Sequence, residues 1–127
     1  MYPNSPIDII LLSCNRVDNT KETINQLYAR VSQPQKIRLI AVDNESVDGT
    51  FEYLKEEVVL GRVNILETCP ADQLLTTAWN IGFKHVKSEM FIMQQDDITI
   101  PRLKPKDVIE QLIDLMNKYP DQAGIGL

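Results

Sequence analysis

The chain has 127 residues, a length that fits one domain. Hydrophobic residues make up 43% of it and charged residues 24%, which is typical of a globular protein. The formal net charge of −5 argues against a nucleic-acid backbone or an anionic membrane as the main partner. A nucleotide stays compatible with this charge, because a bound divalent cation can offset local acidity.

The cysteines and the hydropathy of the chain bear on its compartment. Cys14 and Cys69 are the two cysteines, and we expect both to be reduced thiols in a cytoplasmic protein. No apolar run approaches the ~18 residues that a membrane-spanning helix requires. The N-terminus lacks the basic region and long apolar core of a secretory signal. We therefore expect no membrane segment in this chain.

The first half of the chain alternates predicted strands and helices. Residues 7–14 form a near-continuous apolar run, which is typical of a strand covered on both faces. A polar loop follows, in which Asp18 or Asn19 can cap the next helix. That helix is predicted over residues 20–31 from apolar residues at helical spacing. A second strand is predicted over Ile37–Asp43.

The second half continues the alternation. Asp48 is predicted to cap a helix over residues 49–58, which Gly61 ends. Pro70 is predicted to open a longer helix, and Gly82 inside that helix indicates a close approach to another element. The remaining predicted elements are strands at 63–66 and 90–95, helices at 70–86 and 106–119, and the start of a fifth strand at 123–127.

This order of elements predicts the fold class. The pattern βαβαβαβα(β) is typical of α/β proteins in which a mostly parallel central sheet carries helices on both faces, giving three α-β-α layers. In open α/β sheets, ligands bind in the crevice at the carboxyl ends of the strands. Functional residues are therefore expected where the predicted strands end.

Acidic residues stand at the ends of two predicted strands. Asp43 closes the second strand, and Asp96 and Asp97 close the fourth. A carboxylate such as Asp43 can accept a hydrogen bond from a base or a ribose hydroxyl, or can only cap the turn, and both readings stay open. Asp96 or Asp97 can bind Mg²⁺ or Mn²⁺ together with substrate phosphates, or can belong to a solvated turn. Since adjacent side chains on a strand point to opposite faces, at most one of the two faces the crevice unless the chain turns there.

The loop after the first strand supplies further candidates. Ser13, Asn15 and Arg16 would border the same crevice in a parallel sheet, where Arg16 could meet a phosphate or simply be solvated. The chain has no Gly-rich phosphate-binding loop of the nucleoside-triphosphatase or dinucleotide type. His85, the only histidine, has no partner at a catalytic spacing and is interpreted as a partly buried surface residue.

Four segments together resemble the family 2 glycosyltransferases, which have the GT-A (nucleotide-diphospho-sugar transferase) fold. The most specific is Val-Asp-Asn-Glu-Ser-Val-Asp-Gly-Thr at residues 42–50, which is similar to the family signature vDnxSxDgT. The others are the strand and loop at 9–16, the helix at 78–83, which is similar to aRNxGf, and the segment at 91–101, which is similar to the strand that ends in a metal-binding Asp-x-Asp. The resemblance covers nearly the whole chain and implies a glycosyltransferase with a truncated GT-A fold.

The resemblance also implies roles for the residues. Asp43 would contact the base, and the loop at residues 13–16 would contact the nucleoside. Mn²⁺ or Mg²⁺ would be held on the donor diphosphate by Asp96 if the segment is aligned on Pro101, and by Asp97 if it is aligned on the strand start. We favour Asp96 as the ligand.

The chain departs from the family pattern in two ways. Gln94 or Gln95 replaces the first Asp of Asp-x-Asp, and Trp79 replaces the usual Arg. In the family, the general base and the acceptor site lie after the fifth strand, where this sequence stops. It resembles the N-terminal, nucleotide-sugar-binding part of a longer enzyme with a UDP- or dTDP-type donor and an unidentified glycan or lipid-linked acceptor.

Two other functions compete with this interpretation. A non-catalytic binding or interaction module with the same fold would account for the missing first Asp and the absent base. A nucleotidyltransferase with a related sheet would carry a loop rich in Gly and basic residues after the first strand, and residues 13–16 are not rich in either.

Overall fold

A computed structural model describes residues 2–126 and contains one four-stranded sheet. The strands are β1 (Ile7–Ser13), β2 (Ile37–Asp43), β3 (Ile65–Thr68) and β4 (Phe91–Gln95). All strand pairs are parallel, and the strand order is β3-β2-β1-β4, so the two strands that come first in the chain lie at the centre. This confirms the predicted parallel sheet.

The helices cover both faces of the sheet, as predicted. They are α1 (Val17–Arg30), α2 (Thr50–Leu60), α3 (Leu75–Phe83) and α4 (Val108–Lys118), with a 3-10 turn at Pro34–Lys36. On one face, strand side chains such as Ile9 and Leu39 pack in a single core with α1, α2 and α4. The opposite face, with Ile10 and Val42, packs against α3. The result is the predicted three-layer α-β-α arrangement.

Two predicted helix starts are wrong. Helix α1 begins at Val17 rather than at residue 20, so Asp18 and Asn19 lie in its first turn and do not cap it. Helix α3 begins at Leu75, because the residues after Pro70 form a separate turn before the chain enters the helix. Proline fits a first helical turn but does not by itself start one.

Two glycine predictions are confirmed. Gly61 ends α2 in the left-handed conformation, with φ of 82°, and its N–H bonds back to the carbonyl of Val58. At Gly82 of α3, a Cβ atom would lie 2.5 Å from Cγ2 of Ile10 on β1. The helix therefore approaches the sheet at a distance that only glycine permits.

The predicted fifth strand is wrong over the residues that the structure describes. Residues 123–126 have no strand conformation and pair with no strand of the sheet, while Leu127 lies outside the described residues. A short apolar segment becomes a strand only when a neighbour supplies hydrogen-bond partners for its backbone. Among the helices within residues 2–126, none is both long enough and apolar enough to cross a membrane.

Candidate functional site

The carboxyl ends of β1, β2 and β4 meet at one edge of the sheet. Ser13 pairs with Asp43 across β1 and β2, and Leu12 pairs with Gln95 across β1 and β4. Asp96 follows directly after this last pair. The acidic residues predicted from two distant parts of the sequence are therefore brought together on either side of the end of β1.

Asp43 is buried and holds the turn that follows β2. Its Oδ1 accepts hydrogen bonds from the hydroxyls of Ser13, at 3.1 Å, and Ser46, at 2.6 Å. Its Oδ2 accepts from the backbone N–H of Ser46 at 2.9 Å. Of the two readings left open by the sequence, the turn contact is therefore present. A carboxylate offers about four lone-pair positions, and three of them are used here.

The loop after β1 and the loop after β2 are hydrogen-bonded to each other, and we call this pair of loops (residues 14–16 and 44–48) the loop clasp. The N–H of Asn15 donates to Oγ of Ser46 at 2.9 Å, and the N–H of Val47 donates to Oδ1 of Asn15 at 2.7 Å. Asn15 has φ of 48°, in the left-handed region that asparagine tolerates better than most residues. Asn15 thus shapes the site through its backbone and its side chain together.

Asp48 anchors the clasp to two helices. Its Oδ2 accepts the N–H of Val17, the first residue of α1, at 3.0 Å. Its Oδ1 accepts the N–H of Thr50, the first residue of α2, at 3.1 Å, and also the Thr50 hydroxyl. The hydrogen bond from the Thr50 hydroxyl is the main reason why the pKa of Asp48 is lowered. The sequence predicted the contact with α2, but the contact with α1 links residues 31 apart and was missed.

Asp96 and Asp97 lie in a turn directly after β4, and both approach one arginine. Nη1 of Arg16 lies 2.8 Å from Oδ2 of Asp97 and 3.7 Å from Oδ1 of Asp96. The side chain of Asp96 is 8% exposed, and that of Asp97 is 42% exposed. Because the chain turns here, two adjacent carboxylates face the same cation, which a continuous strand would not allow.

Backbone and helix contacts fix the position of Asp96. Its Oδ2 accepts the N–H of Cys14 at 3.1 Å, and its backbone carbonyl accepts the hydroxyl of Thr23 on α1 at 3.0 Å. Burial raises the pKa of Asp96, while the N–H of Cys14 and the charge of Arg16 oppose this rise. The carboxylate is thus held in place at a cost in solvation that a further cation would reduce.

The pKa of the Cys14 thiol is affected by several negative charges at this edge of the sheet. This pKa is raised first by burial and then by the charges of Asp43, Asp96 and Asp48, with Arg16 acting in the opposite direction. Three carboxylates therefore lie near one thiol. A thiol in such surroundings is a poor nucleophile, since the thiolate is the reactive form.

The donor atoms of Asp96 and Asp97 suit a hard divalent cation. Mg²⁺ is commonly bound by one or two carboxylates together with substrate phosphates. Within residues 2–126, no group of three or more His, Cys, Asp or Glu side chains is placed to hold a metal ion. The two carboxylates therefore fit a shared site, in which most of the ligands come from a substrate and from water.

Two cavities of the described residues lie beside these side chains. One of about 30 Å³ borders Asp96 and Asp97 on the side of α1. A larger one, of about 560 Å³, is mostly apolar, lies between β4 and α4, and contains none of the predicted site residues. The polar and charged groups converge instead at the open edge with the loop clasp, which is where open α/β sheets bind ligands. His85 pairs with none of these side chains in the described residues, and its Nε2 lies 3.8 Å from a carboxylate oxygen of Glu67 on β3.

Comparison with known proteins gives the same fold. A mannosyltransferase from Pyrobaculum calidifontis, PcManGT, solved with GDP-Man and Mn²⁺, is 17% identical, with a TM-score of 0.70 over 87% of this chain and 32% of that chain. S. aureus TarS 1–349 is 13% identical, with a TM-score of 0.73 over 96% of this chain and 38% of its own. The same fragment in complex with UDP is 15% identical, with a TM-score of 0.68 over 91% and 33%. This chain therefore spans about a third of the length of these proteins.

The sequence itself decides the family. A search of curated proteins finds no match. The family profile described as glycosyl transferase family 2 matches residues 8–126, which is nearly the full length. The match includes both strand ends and both loops of the clasp, so the resemblance inferred from four short segments is confirmed. The chain belongs to glycosyl transferase family 2.

Proposed function

We propose that this chain is a single nucleotide-sugar-binding domain, the N-terminal part of a longer glycosyltransferase that takes a UDP- or dTDP-type donor. The observation that carries the proposal is the convergence of Asp43 and the Asp96–Asp97 pair at one sheet edge in a family 2 chain. The ligands of the similar structures, GDP-Man with Mn²⁺ in one and UDP in another, support a nucleotide sugar as the ligand class. The cytoplasmic location predicted from Cys14 and Cys69, which are unpaired, is part of the proposal.

The proposed roles follow the position of each side chain. Asp96 and Asp97 hold Mn²⁺ or Mg²⁺, and when bound this cation acts as a Lewis acid that stabilises the diphosphate leaving group. Arg16 contacts the phosphates, and Ser13 at the end of β1 and Asn15 in the loop after it contact the nucleoside. Asp43 contacts the base through its remaining lone-pair position while it keeps the turn in place.

The acceptor half of the reaction is assigned to polypeptide other than these 127 residues. Sugar transfer needs a base that takes the proton from an acceptor hydroxyl. Asp43, Asp96 and Asp97 already have roles towards the donor, and Asp48 accepts the first N–H groups of two helices. His85 pairs with Glu67 on β3. We expect the 127-residue chain to bind donor and to transfer little sugar.

Calorimetric titration of the chain with UDP in the presence of Mn²⁺ tests this proposal. Wild type should release or absorb heat on binding, and the double substitution Asp96→Ala, Asp97→Ala should weaken binding by at least about tenfold, because charge-assisted contacts contribute that much. Asp114→Ala is the matched control, since it removes an exposed carboxylate on α4 that pairs with Lys106. Absence of binding by wild type, or equal binding by the double variant, would contradict the proposal.

One observation favours a second function, a non-catalytic module with the same fold. Gln94 or Gln95 stands where the family pattern has the first Asp of Asp-x-Asp, and an amide binds a divalent cation less strongly than a carboxylate does. Under this alternative the chain binds no nucleotide sugar. It should instead retain a specific protein or glycan in a pull-down, and the retention should survive substitution of Asp96 and Asp97.

A further inference from the structure

Arg16 already lies where the proposed cation would lie. Its Nη1 contacts Oδ2 of Asp97 at 2.8 Å and lies 3.7 Å from Oδ1 of Asp96. Two carboxylates on adjacent residues that point to one place repel each other unless a positive charge lies between them. In the described structure, Arg16 supplies this charge.

The ion pairs between Arg16 and the two carboxylates are weak enough to break. The side chain of Arg16 is 52% exposed and that of Asp97 is 42% exposed, and ion pairs with this much solvent contact are weak. By contrast, Asp96 is held by the N–H of Cys14 and by the hydroxyl of Thr23. A divalent cation carries twice the charge of a guanidinium, so it can displace Arg16 while Asp96 stays in place.

The backbone of Arg16 is held in place, whereas its side chain is half exposed and can change its partner. Arg16 occupies the N-cap position of α1, and its carbonyl accepts the N–H of Thr20 at 2.8 Å. The next residue, Val17, is tied to the loop clasp through Asp48. The displaced guanidinium therefore stays at this edge of the sheet, where its fork of N–H groups matches a phosphate.

We propose that Arg16 is a positioning residue that exchanges partners: it binds Asp96 and Asp97 in the cation-free chain, and it binds the donor diphosphate when a divalent cation takes the two carboxylates. This inference rests on the proposed function. It makes cation and donor binding depend on each other, because the cation releases the arginine that the donor needs. By linkage, the donor must strengthen cation binding by the same factor.

The test is a set of calorimetric titrations on the 127-residue chain, with Mn²⁺ alone, UDP with EDTA, and UDP with saturating Mn²⁺. Arg16→Gln should bind Mn²⁺ alone about tenfold more tightly than wild type, because the competing charge is gone. It should bind UDP in the presence of Mn²⁺ about tenfold more weakly. The ratio of UDP affinities with and without Mn²⁺ should fall from about 100-fold to about tenfold, within the usual range of coupling.

Two further variants separate the exchange from a structural effect. Lys106→Gln removes another exposed cation, the partner of Asp114, and should leave all three titrations unchanged. Arg16→Lys keeps the charge without the guanidinium fork, and its Mn²⁺ affinity should lie between those of wild type and Arg16→Gln. A merely structural role would weaken Mn²⁺ and UDP binding together, whereas the exchange moves them in opposite directions.

The possible outcomes distinguish this inference from the function on which it rests. If UDP binds with Mn²⁺ but Mn²⁺ alone binds Arg16→Gln no more tightly than wild type, the exchange is overturned and the proposed function stands. The same holds if the ratio of UDP affinities is unchanged. If UDP binds neither protein under any condition, the proposed function fails, and the donor half of the exchange fails with it.

Discussion

At Gly82, α3 packs directly against the sheet. A Cβ atom there would lie 2.5 Å from Cγ2 of Ile10 and 3.2 Å from Cγ2 of Val42, and both of these side chains are buried in the sheet. Real Cβ atoms do not approach so closely, so the helix or the sheet would have to move. Crowding of this kind in a packed core costs more than the ~1 kcal/mol of helix propensity that alanine adds.

We therefore predict that Gly82→Ala lowers the free energy of unfolding by about 1–2 kcal/mol. Urea denaturation followed by circular dichroism measures the change. Gly124→Ala is the matched control, since a Cβ atom at Gly124 would meet nothing within 4 Å and the stability should stay the same. Equal stability of the Gly82 variant and wild type would show that α3 can move away from the sheet at no cost.

Single residues also show which parts of the site the sequence can predict. Asp43, Asp96 and Asp97 were found because an apolar run that stops at a carboxylate marks a strand end, and strand ends of a parallel sheet share an edge. The same argument placed Arg16 at this crevice, but it did not predict that Arg16 pairs with Asp97. Arg16 lies 81 residues away, and only the order of the strands brings it to the turn after β4.

At the scale of elements, Asp48 joins the first residues of α1 and α2, between which β2 lies in the chain. Its carboxylate accepts the first N–H of α1 at Val17 and the first N–H of α2 at Thr50. The first N–H groups of a helix have no partner within the helix, and a negative charge there also interacts favourably with the helix dipole. One side chain therefore holds the loop clasp at the point where both helices begin.

Asp48→Ala is predicted to lower the melting temperature and to increase hydrogen exchange at Val17 and Thr50 together. Asp48→Asn keeps an acceptor and loses the charge, so its melting temperature should lie between those of Asp48→Ala and wild type. Amide exchange measured by NMR distinguishes the two sites. If only Thr50 responds, Asp48 is an ordinary cap of α2 and does not link the helices.

The errors in element boundaries have a common cause. Apolar spacing located each helix, but the first residue of α1 is set by Asp48 from another loop, and α3 begins only after the turn that follows Pro70. The segment at 123–126 was predicted as a strand from its position in the alternation, but it has two glycines and no strand beside it in the described sheet. Local sequence reports what a segment prefers, whereas its neighbours in space decide where it begins and whether it forms.

At the scale of the whole molecule, Asp8 connects the centre of the sheet to the segment between α3 and β4. It is buried in β1, and its Oδ1 accepts Nε of Arg38 on β2 at 2.6 Å. Its Oδ2 accepts the N–H groups of Lys87, at 2.6 Å, and Ser88, at 2.9 Å. This contact lies at the amino end of β1, opposite to the candidate site, so it supports the layers without touching the chemistry.

The hydrogen bonds of Asp8 predict how the stability of the protein depends on pH. Burial alone would raise the pKa of Asp8, but the hydrogen bonds from Arg38, Lys87 and Ser88 outweigh it, and the pKa is lowered. A carboxylate whose pKa is lowered in the folded state stabilises the protein at pH values above the unfolded pKa of about 3.9. This contribution is lost as the pH falls through the folded pKa.

Asp8→Asn should therefore reduce the free energy of unfolding by about 2–3 kcal/mol at pH 7, since it leaves Arg38 without its charged partner. The difference from wild type should begin to shrink as the pH falls below about 4, where the unfolded chain takes up the proton, and should be lost only as the pH passes through the lowered folded-state value. Urea denaturation between pH 7 and pH 3 measures this, with Asp114→Asn as a control whose exposed carboxylate should matter much less at every pH. A difference that stays constant across the range would mean that Asp8 acts through its shape in the core and not through its charge.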